Sequence, residues 1–294
     1  MFGKIWSLGL LPFFLIQIHT VANAASIDIS QLCSGTGDCV ISTNTSIVSA
    51  SGPKTIGGNF TINPGVVLEF RVPVEINVIG NMILSGALGA PGDGGAGGGG
   101  GNPGQPGGAG GNAPAVASGT INVQGSITVN ATGAVSTEGG TGGSGGIGAS
   151  GQHGGAGGAG GAAGSITFNT CTSYTSLSGA QLRLNGGAGG IGQTGAIGGG
   201  GGAAGTLAIN AKNSISSDAL VYAIGGVGGA GGAGSGANAA DGTITLKAGG
   251  SIAVGSSTLN SGSNSPTLSQ NQPSISALAF CVAPIVSTVS PTSG

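Results

Sequence analysis

Glycine recurs at every third residue through four separate tracts, and no other feature restricts the fold so tightly. The first tract holds Gly89, Gly92, Gly95, Gly98, Gly101, Gly104, Gly107 and Gly110 in one unbroken phase. The second keeps that phase from Gly139 to Gly160, the third from Gly186 to Gly201 and the fourth from Gly225 to Gly234. A period of three belongs to the extended left-handed helix with three residues per turn, which has no internal hydrogen bonds. Its N–H and C=O groups point sideways and need partners elsewhere. An edge made only of glycine lets neighbouring helices approach and bond laterally. Glycine loses much conformational entropy on ordering, so such packing has to be shared among many helices. The tracts therefore read as polyglycine II arms packed side by side. Flexible linkers and collagen are the competing readings. Collagen needs abundant proline, and only the first tract has any, at Pro91, Pro103, Pro106 and Pro114.

Between the tracts a second kind of material repeats. Four segments align, opening at Thr120, Ser165, Thr206 and Thr243, and the spacing shortens from 45 to 41 to 37 residues as the glycine tracts shrink. Ile121, Ile166, Leu207 and Ile244 share one position, and Val123, Phe168, Ile209 and Leu246 share the next but one. Asn122, Thr167, Ala208 and Thr245 lie between them. Such period-two alternation marks strands with one buried face. Ile127, Ile215 and Ile252 suggest a second strand per unit; Leu182 with Leu184, and Leu220 with Tyr222, suggest a third. Three short strands per repeat cannot each bury a face alone. They imply stacked coils, so the expected fold is all-β: a parallel β-solenoid, or β-helix, carrying the arms. Residues 66–78 (VVLEFRVPVEINV) fit an earlier part of the stack, with Pro73 at an edge or corner. Glu69, Arg71 and Glu75 form the one charge cluster, read as a solvated strand face with weak ion pairs.

Each arm leaves one coil and returns to the next, so it folds back near its middle. A leg of about ten residues reaches roughly 30 Å at 3.1 Å per residue. The bulkier and more polar residues fall near these midpoints, where the small-residue rule can relax. They make Asn102, Gln105, Ser150, Gln152, His153, Gln193, Thr194 and Asn238 the candidate ligand contacts at exposed tips. Gly-rich excursions in triplet phase with polar tips resemble the polyglycine sandwich of T-even-type phage tail-tip adhesins, and the resemblance covers about residues 89–242. It implies receptor recognition at the tips. The run from Gly154 to Gly164 also resembles the Gly-Gly-X surface proteins of mycobacteria. Residues 283–294 (APIVSTVSPTSG) resemble the opening of an immunoglobulin-like IPT/TIG domain, which implies a longer surface protein.

The resulting organisation is a signal peptide over residues 1–24, a solenoid region with a local disulfide over 25–88, coils with four arms over 89–264, and a linker with the start of an IPT/TIG-like domain over 265–294. The arms span about 89–119, 138–164, 186–205 and 225–242. The signal peptide rests on Lys4, an apolar stretch from Ile5 to Ile18 and the A-x-A site Ala22-Asn23-Ala24. The chain is then expected to be secreted or displayed at the cell surface. Four cysteines are an even number for an exported chain. Cys33 and Cys39 enclose a short loop and suit a local disulfide, which leaves Cys171 and Cys281 as a distant pair; neither spacing suits zinc.

Charged residues make up only 5% of the chain, which excludes a basic nucleic-acid footprint. No later run is apolar enough to span a bilayer. Glycine fingerprints for nucleotides carry no information at this glycine content. No cofactor, metal site or catalytic residue is expected, and the oligomeric state is left open. The leading expectation is a structural or adhesin-like protein that binds glycans or cell surfaces through its arm tips. The alternative is an ice-binding protein; a polysaccharide-active enzyme using Glu69, Glu75 and Arg71 ranks third.

Overall fold

The computed structural model describes residues 24–33, 35, 37–90, 92–255, 258–271 and 279–281. The signal-peptide segment up to Asn23 and the IPT/TIG-like residues 283–294 lie outside them. Among the described residues there is no α-helix; twenty-two short strands form three parallel sheets. The first sheet holds β1 (Ala25–Asp28), β3 (Thr45–Ser49), β6 (Val67–Phe70), β9 (Ala87–Gly89), β12 (Ala134–Ser136), β15 (Gln181–Arg183), β18 (Leu220–Tyr222) and β21 (Thr258–Asn260). The second holds β4 (Lys54–Ile56), β7 (Val74–Val78), β10 (Gly119–Val123), β13 (Ile166–Thr170), β16 (Thr206–Ala211), β19 (Thr243–Ala248) and β22 (Thr267–Ser269). The third holds β2 (Cys39–Ile41), β5 (Phe60–Ile62), β8 (Met82–Leu84), β11 (Ile127–Val129), β14 (Tyr174–Ser176), β17 (Ile215–Ser217) and β20 (Ile252–Val254). From β4 onward the chain visits the second, third and first sheets in turn. This is a parallel β-solenoid.

Stacking places like residues above like. Ile76, Ile121, Phe168, Ile209 and Leu246 form one core ladder in the second sheet. Phe60, Met82, Ile127, Tyr174, Ile215 and Ile252 form another in the third. Leu88, Val135, Leu182, Val221 and Leu259 complete the triangle in the first. Nearly all of these are fully buried, in one contiguous core. Outside, Asn77, Asn122, Asn169 and Asn210 stack so that each side-chain amide donates to the preceding Oδ1 at 2.8 Å. Asparagine suits such a ladder because its amide is at once donor and acceptor. A corner is stitched likewise: Asp38 accepts from the Asn59 N–H, Asn59 from the Asn81 N–H and Asn81 from the Ser126 N–H, at 2.8–2.9 Å.

Three local readings of the sequence are corrected. The first repeat pairs two residues away from its alignment: Ile121 faces Phe168 and Gly119 faces Ile166. A two-residue slip keeps every side chain on its own face, so alternation alone cannot detect it. Gly119 selects the register, since a Cβ there would meet Ile166 Cδ1 at 3.1 Å and Phe70 Cζ at 3.2 Å. In β18 it is Val221 that points inward, with Leu220 and Tyr222 partly exposed. Residues 66–78 are two strands in two sheets, turning at Arg71–Pro73, so Pro73 does lie at a corner. Glu69 is buried there, 2% exposed. It pairs with Arg71 Nε at 2.5 Å and accepts from Ser46 Oγ at 3.3 Å, so the solvated face expected for it is absent.

Both disulfides form, Cys33–Cys39 and Cys171–Cys281, with Cα separations of 5.6 and 5.4 Å. The second ties the far end of the chain to the coil of β13. Two disulfides fit an oxidising, extracytoplasmic compartment. The stretch expected to be a linker from residue 265 begins with β22, which pairs with β19 and extends the second sheet. Among the described residues no helix is long and apolar enough to cross a membrane.

Candidate functional site

All four arms issue from one corner of the solenoid. They join β9 to β10, β12 to β13, β15 to β16 and β18 to β19. Each has an outgoing and a return leg, and the legs form two rows. Within the outgoing row the N–H groups of Gly95, Gly98 and Gly101 donate to the carbonyls of Thr141, Ser144 and Ile147 in the next arm. Gly139, Gly142 and Gly145 donate in the same way to Asn185, Ala188 and Ile191, and Gly186, Gly189 and Gly192 to Ile224, Val227 and Ala230. The return row repeats this: Gly107 and Gly110 reach His153 and Ala156, Gly157 and Gly160 reach Ile197 and Gly200, and Gly201 reaches Ala237. Between the rows, Gly155 and Gly158 donate to Gly146 and Gly143, while Gly143 and Gly146 donate to Gly111 and Gly108 of the preceding arm. Donors three residues apart meeting acceptors three residues apart define a polyglycine II lattice.

The triplet has a separate task for each position. Inner positions of the second and third arms must be glycine: a Cβ on Gly143 would stand 1.9 Å from the Ala96 carbonyl oxygen, and one on Gly158 2.0 Å from that of Gly111. The remaining position faces water and is free to vary. On the outgoing row it carries Thr141, Ser144, Ile147, Ile191 and Val227, with Ile147 72% exposed. On the return row it carries mostly alanine. Lattice register aligns Ala115, Ala162, Ala203 and Ala240 in one line across the arms, and Asn112, Ala159, Gly200 and Ala237 in the next.

The first three arms reverse in turns whose third residue is glycine with positive φ. Gln105 N–H donates to Asn102 C=O, Gln152 to Ala149 and Ala196 to Gln193, at 2.8–2.9 Å. Gly104, Gly151 and Gly195 have φ of 78°, 78° and 76°. These are type II turns, and Pro103-Gly104 is their sequence signature. The fourth arm turns at Gly231–Gly234. The first two tips stand level and the third is about one triplet shorter. His153 covers that step: a Cβ on Gly195 would meet its Nδ1 at 2.0 Å.

The tip candidates gather as the sequence suggests, with one displaced. Asn102, Gln105, Ser150, Gln152, His153 and Thr194 are exposed along one edge of the bundle, and Gln193 beside them is half-buried. Asn238 lies instead on the flank of the fourth arm, where its Oδ1 accepts from Gly228 N–H at 2.9 Å. Asp241, three residues on, accepts from Gly225 N–H at 2.8 Å. Hydrogen bonds from Ser263 N–H and Gly225 N–H, then from Ser263 Oγ, hold the Asp241 carboxyl below the usual carboxylate range. Sequence reasoning missed this flank role; the triplet phase of Ser235, Asn238 and Asp241 was the available signal. Of the charge cluster, Glu69 is sealed by Arg71, which also bridges to Asp93 at 3.0 Å, and Glu75 accepts from Asn122 at 3.1 Å. Among the described residues no group of three or more His, Cys, Asp or Glu is placed to hold a metal ion.

The molecule thus falls in the class of parallel β-solenoids that bear a polyglycine II bundle. No protein-family model, curated protein or solved structure matches the chain.

Proposed function

We propose that this is an exported, non-catalytic surface adhesin that binds glycans or another cell surface through the edge formed by its arm tips. The observation that carries the reading is the row of reversals holding Asn102, Gln105, Ser150, Gln152, His153 and Thr194, all exposed at the end of a backbone-bonded bundle. Hydroxyl, amide and imidazole groups on rigid turns can donate to and accept from sugar hydroxyls without ordering a loop on binding. The resemblance to phage tail-tip adhesins supports the same edge. The test is binding of the labelled full chain to a glycan panel and to intact cells, beside a variant carrying Ser150→Gly, Gln152→Gly, His153→Gly and Thr194→Gly. Binding lost in the variant supports the reading; equal binding by both chains, or none by either, sinks it.

A second reading has its own observation. The return-row face carries the small-residue lines described above, mostly alanine, and a regular array of methyl groups between fixed backbone groups can order water. Ice binding would use that face rather than the tips. It predicts thermal hysteresis that disappears in Ala159→Tyr and survives the four tip substitutions; absence of hysteresis in the unmodified chain rejects it.

A further inference from the structure

The lattice that joins the four arms offers no internal reason to stop at four. Each outgoing leg donates to the next outgoing leg and each return leg to the next return leg, so the fourth arm ends the array with no fifth leg to donate to. It is the equivalent of the edge strand of a sheet, a template for further addition. Its residues break the rule that interior arms obey. Where the third return leg has Gly198, Gly201 and Ala204 facing the following arm, the fourth has Ser235, Asn238 and Asp241. Asn238 Oδ1 takes the Gly228 N–H at 2.9 Å and Asp241 Oδ1 the Gly225 N–H at 2.8 Å. In the arms before, Gly186 and Gly189 give the corresponding N–H groups to backbone carbonyls of the neighbouring outgoing leg. Two side chains thus stand where the carbonyls of a fifth leg would be. Asp241 also binds Ser263 through N–H and Oγ at 2.7 and 2.8 Å, and Asn264 Nδ2 donates to the carbonyls of Asp241 and Gly242, so the segment after β21 seals the base of the flank.

We infer that Asn238 and Asp241 are an edge stop, which keeps the bundle four arms wide by occupying the hydrogen-bonding positions that a polyglycine leg of a second copy would fill. The excluded partner edge is fixed by complementarity. A stripped fourth arm presents donors, so it pairs with an acceptor edge, and the first arm supplies one. Thr141, Ser144 and Ile147 of the second arm accept from the first; the residues in their places on the first arm are Gly94, Gly97 and Gly100, all exposed. That edge is itself only half open. Asp93 and Ala96 stand where the second arm has Gly140 and Gly143, and Gly99 is the position left bare, with nothing within 4 Å of an added Cβ. A contact of unlike edges does not close on itself, so the unstopped chain would grow into open-ended assemblies.

The test compares the full chain with Asn238→Gly/Asp241→Gly by light scattering over a concentration series, and follows amide exchange at Gly225 and Gly228. The substituted chain is expected to gain mass with concentration relative to the unmodified one, with at least about tenfold stronger self-association for the backbone hydrogen bonds made available. Adding Gly99→Gln, which fills the bare position of the receiving edge without touching its own fold, is expected to reverse that gain. Asn238→Ala alone is expected to speed exchange at Gly228 and leave Gly189 unchanged. Mass identical to the unmodified chain across the series overturns the inference. So does association that persists with Gly99→Gln, which would mark unfolding aggregation, and so does unaltered exchange at Gly228.

Discussion

The solenoid and the bundle lie on one chain and satisfy the same backbone by opposite means. In the solenoid, three sheets share their hydrogen bonds between coils, and the side chains between them form a dry core around Phe168, Tyr174 and the isoleucine ladders. In the bundle there is no side-chain interior. The inner positions of its interior arms are glycine, its legs bond to each other through backbone groups, and most larger side chains are turned outward, buried Ala113 being an exception. The solenoid is held chiefly by apolar burial, which tolerates exchange of one apolar residue for another. The bundle is held by hydrogen bonds and close backbone approach, which leave no room for a Cβ at positions such as Gly143 and Gly158. The first scaffold therefore needs hydrophobic variety and the second needs strict phase, and the sequence shows each in its own segments.

The contrast can be broken most severely from the solenoid side. Phe168 is fully buried opposite Ile121 and Ile209, with its ring 6.0 Å from that of Tyr174. Phe168→Ala should destabilise the whole molecule by about 3–5 kcal/mol through lost transfer energy and a cavity. Thermal unfolding should show coils and arms lost together, because the arms are anchored on β13 and its neighbours. Arms that outlast the coils would show that the bundle stands alone and would void the comparison.

Next in size is the reciprocal change. Gly158→Val places a branched side chain against the Gly111 carbonyl oxygen, 2.0 Å from the first added carbon. A cost of about 3 kcal/mol is expected, in the upper part of the overpacking range. It should fall on the arms, with amide exchange faster at Gly155, Gly158 and Gly161 while Ile121 and Ile209 stay protected. Uniform loss of protection would mean that the two regions unfold as one unit.

A smaller effect belongs to the asparagine ladder, where the solenoid borrows the bundle's device of stacked hydrogen bonds. Asn169 donates to Asn122 and accepts from Asn210, both at 2.8 Å. Asn169→Ala removes both bonds from a partly exposed surface and should cost about 1–2 kcal/mol, read as a lower midpoint in denaturant at unchanged slope.

The two regions were also unequally legible. In the bundle the triplet phase announced the polyglycine helices, and the bulkier, polar midpoints marked where the arms fold back. The phase also held the edge stop in view, but Asn238 read as a tip residue because distance along an arm says nothing about which flank a residue occupies. In the solenoid, alternation identified the strands yet could not set their pairing. The two-residue slip at Ile121 and the inward turn of Val221 depend on which neighbours fit, as Gly119 beneath Ile166 shows. The disulfide of Cys171 with Cys281 followed from elimination once Cys33 and Cys39 were paired. What stayed hidden was the fate of Glu69, since burial against Arg71 is settled by a corner and not by a pattern.

The weakest contrast separates interior legs from the terminal one, and pH reaches it. Asp241 accepts from Ser263 and Gly225, which hold its pKa below the ordinary 3.8. A carboxyl harder to protonate in the folded chain than in the unfolded one contributes stability that is complete above its unfolded pKa and is lost as pH falls through the folded value. Protection at Gly225 and Ser263, corrected for intrinsic exchange, should be steady above about pH 5 and decline below about pH 4. Gly189, bonded to the Val227 carbonyl inside the lattice, should keep its protection over that range. Site-resolved measurement is needed because Asp28, held low by Ser49 and then Ser30 at the opposite end of the solenoid, adds its own loss in acid. Asp241→Asn keeps an acceptor for Gly225 and removes the charge, so the decline at Gly225 should vanish with it. A decline that survives in Asp241→Asn would assign the acid response to the coils, and the terminal leg would then differ from the interior ones in its shape alone.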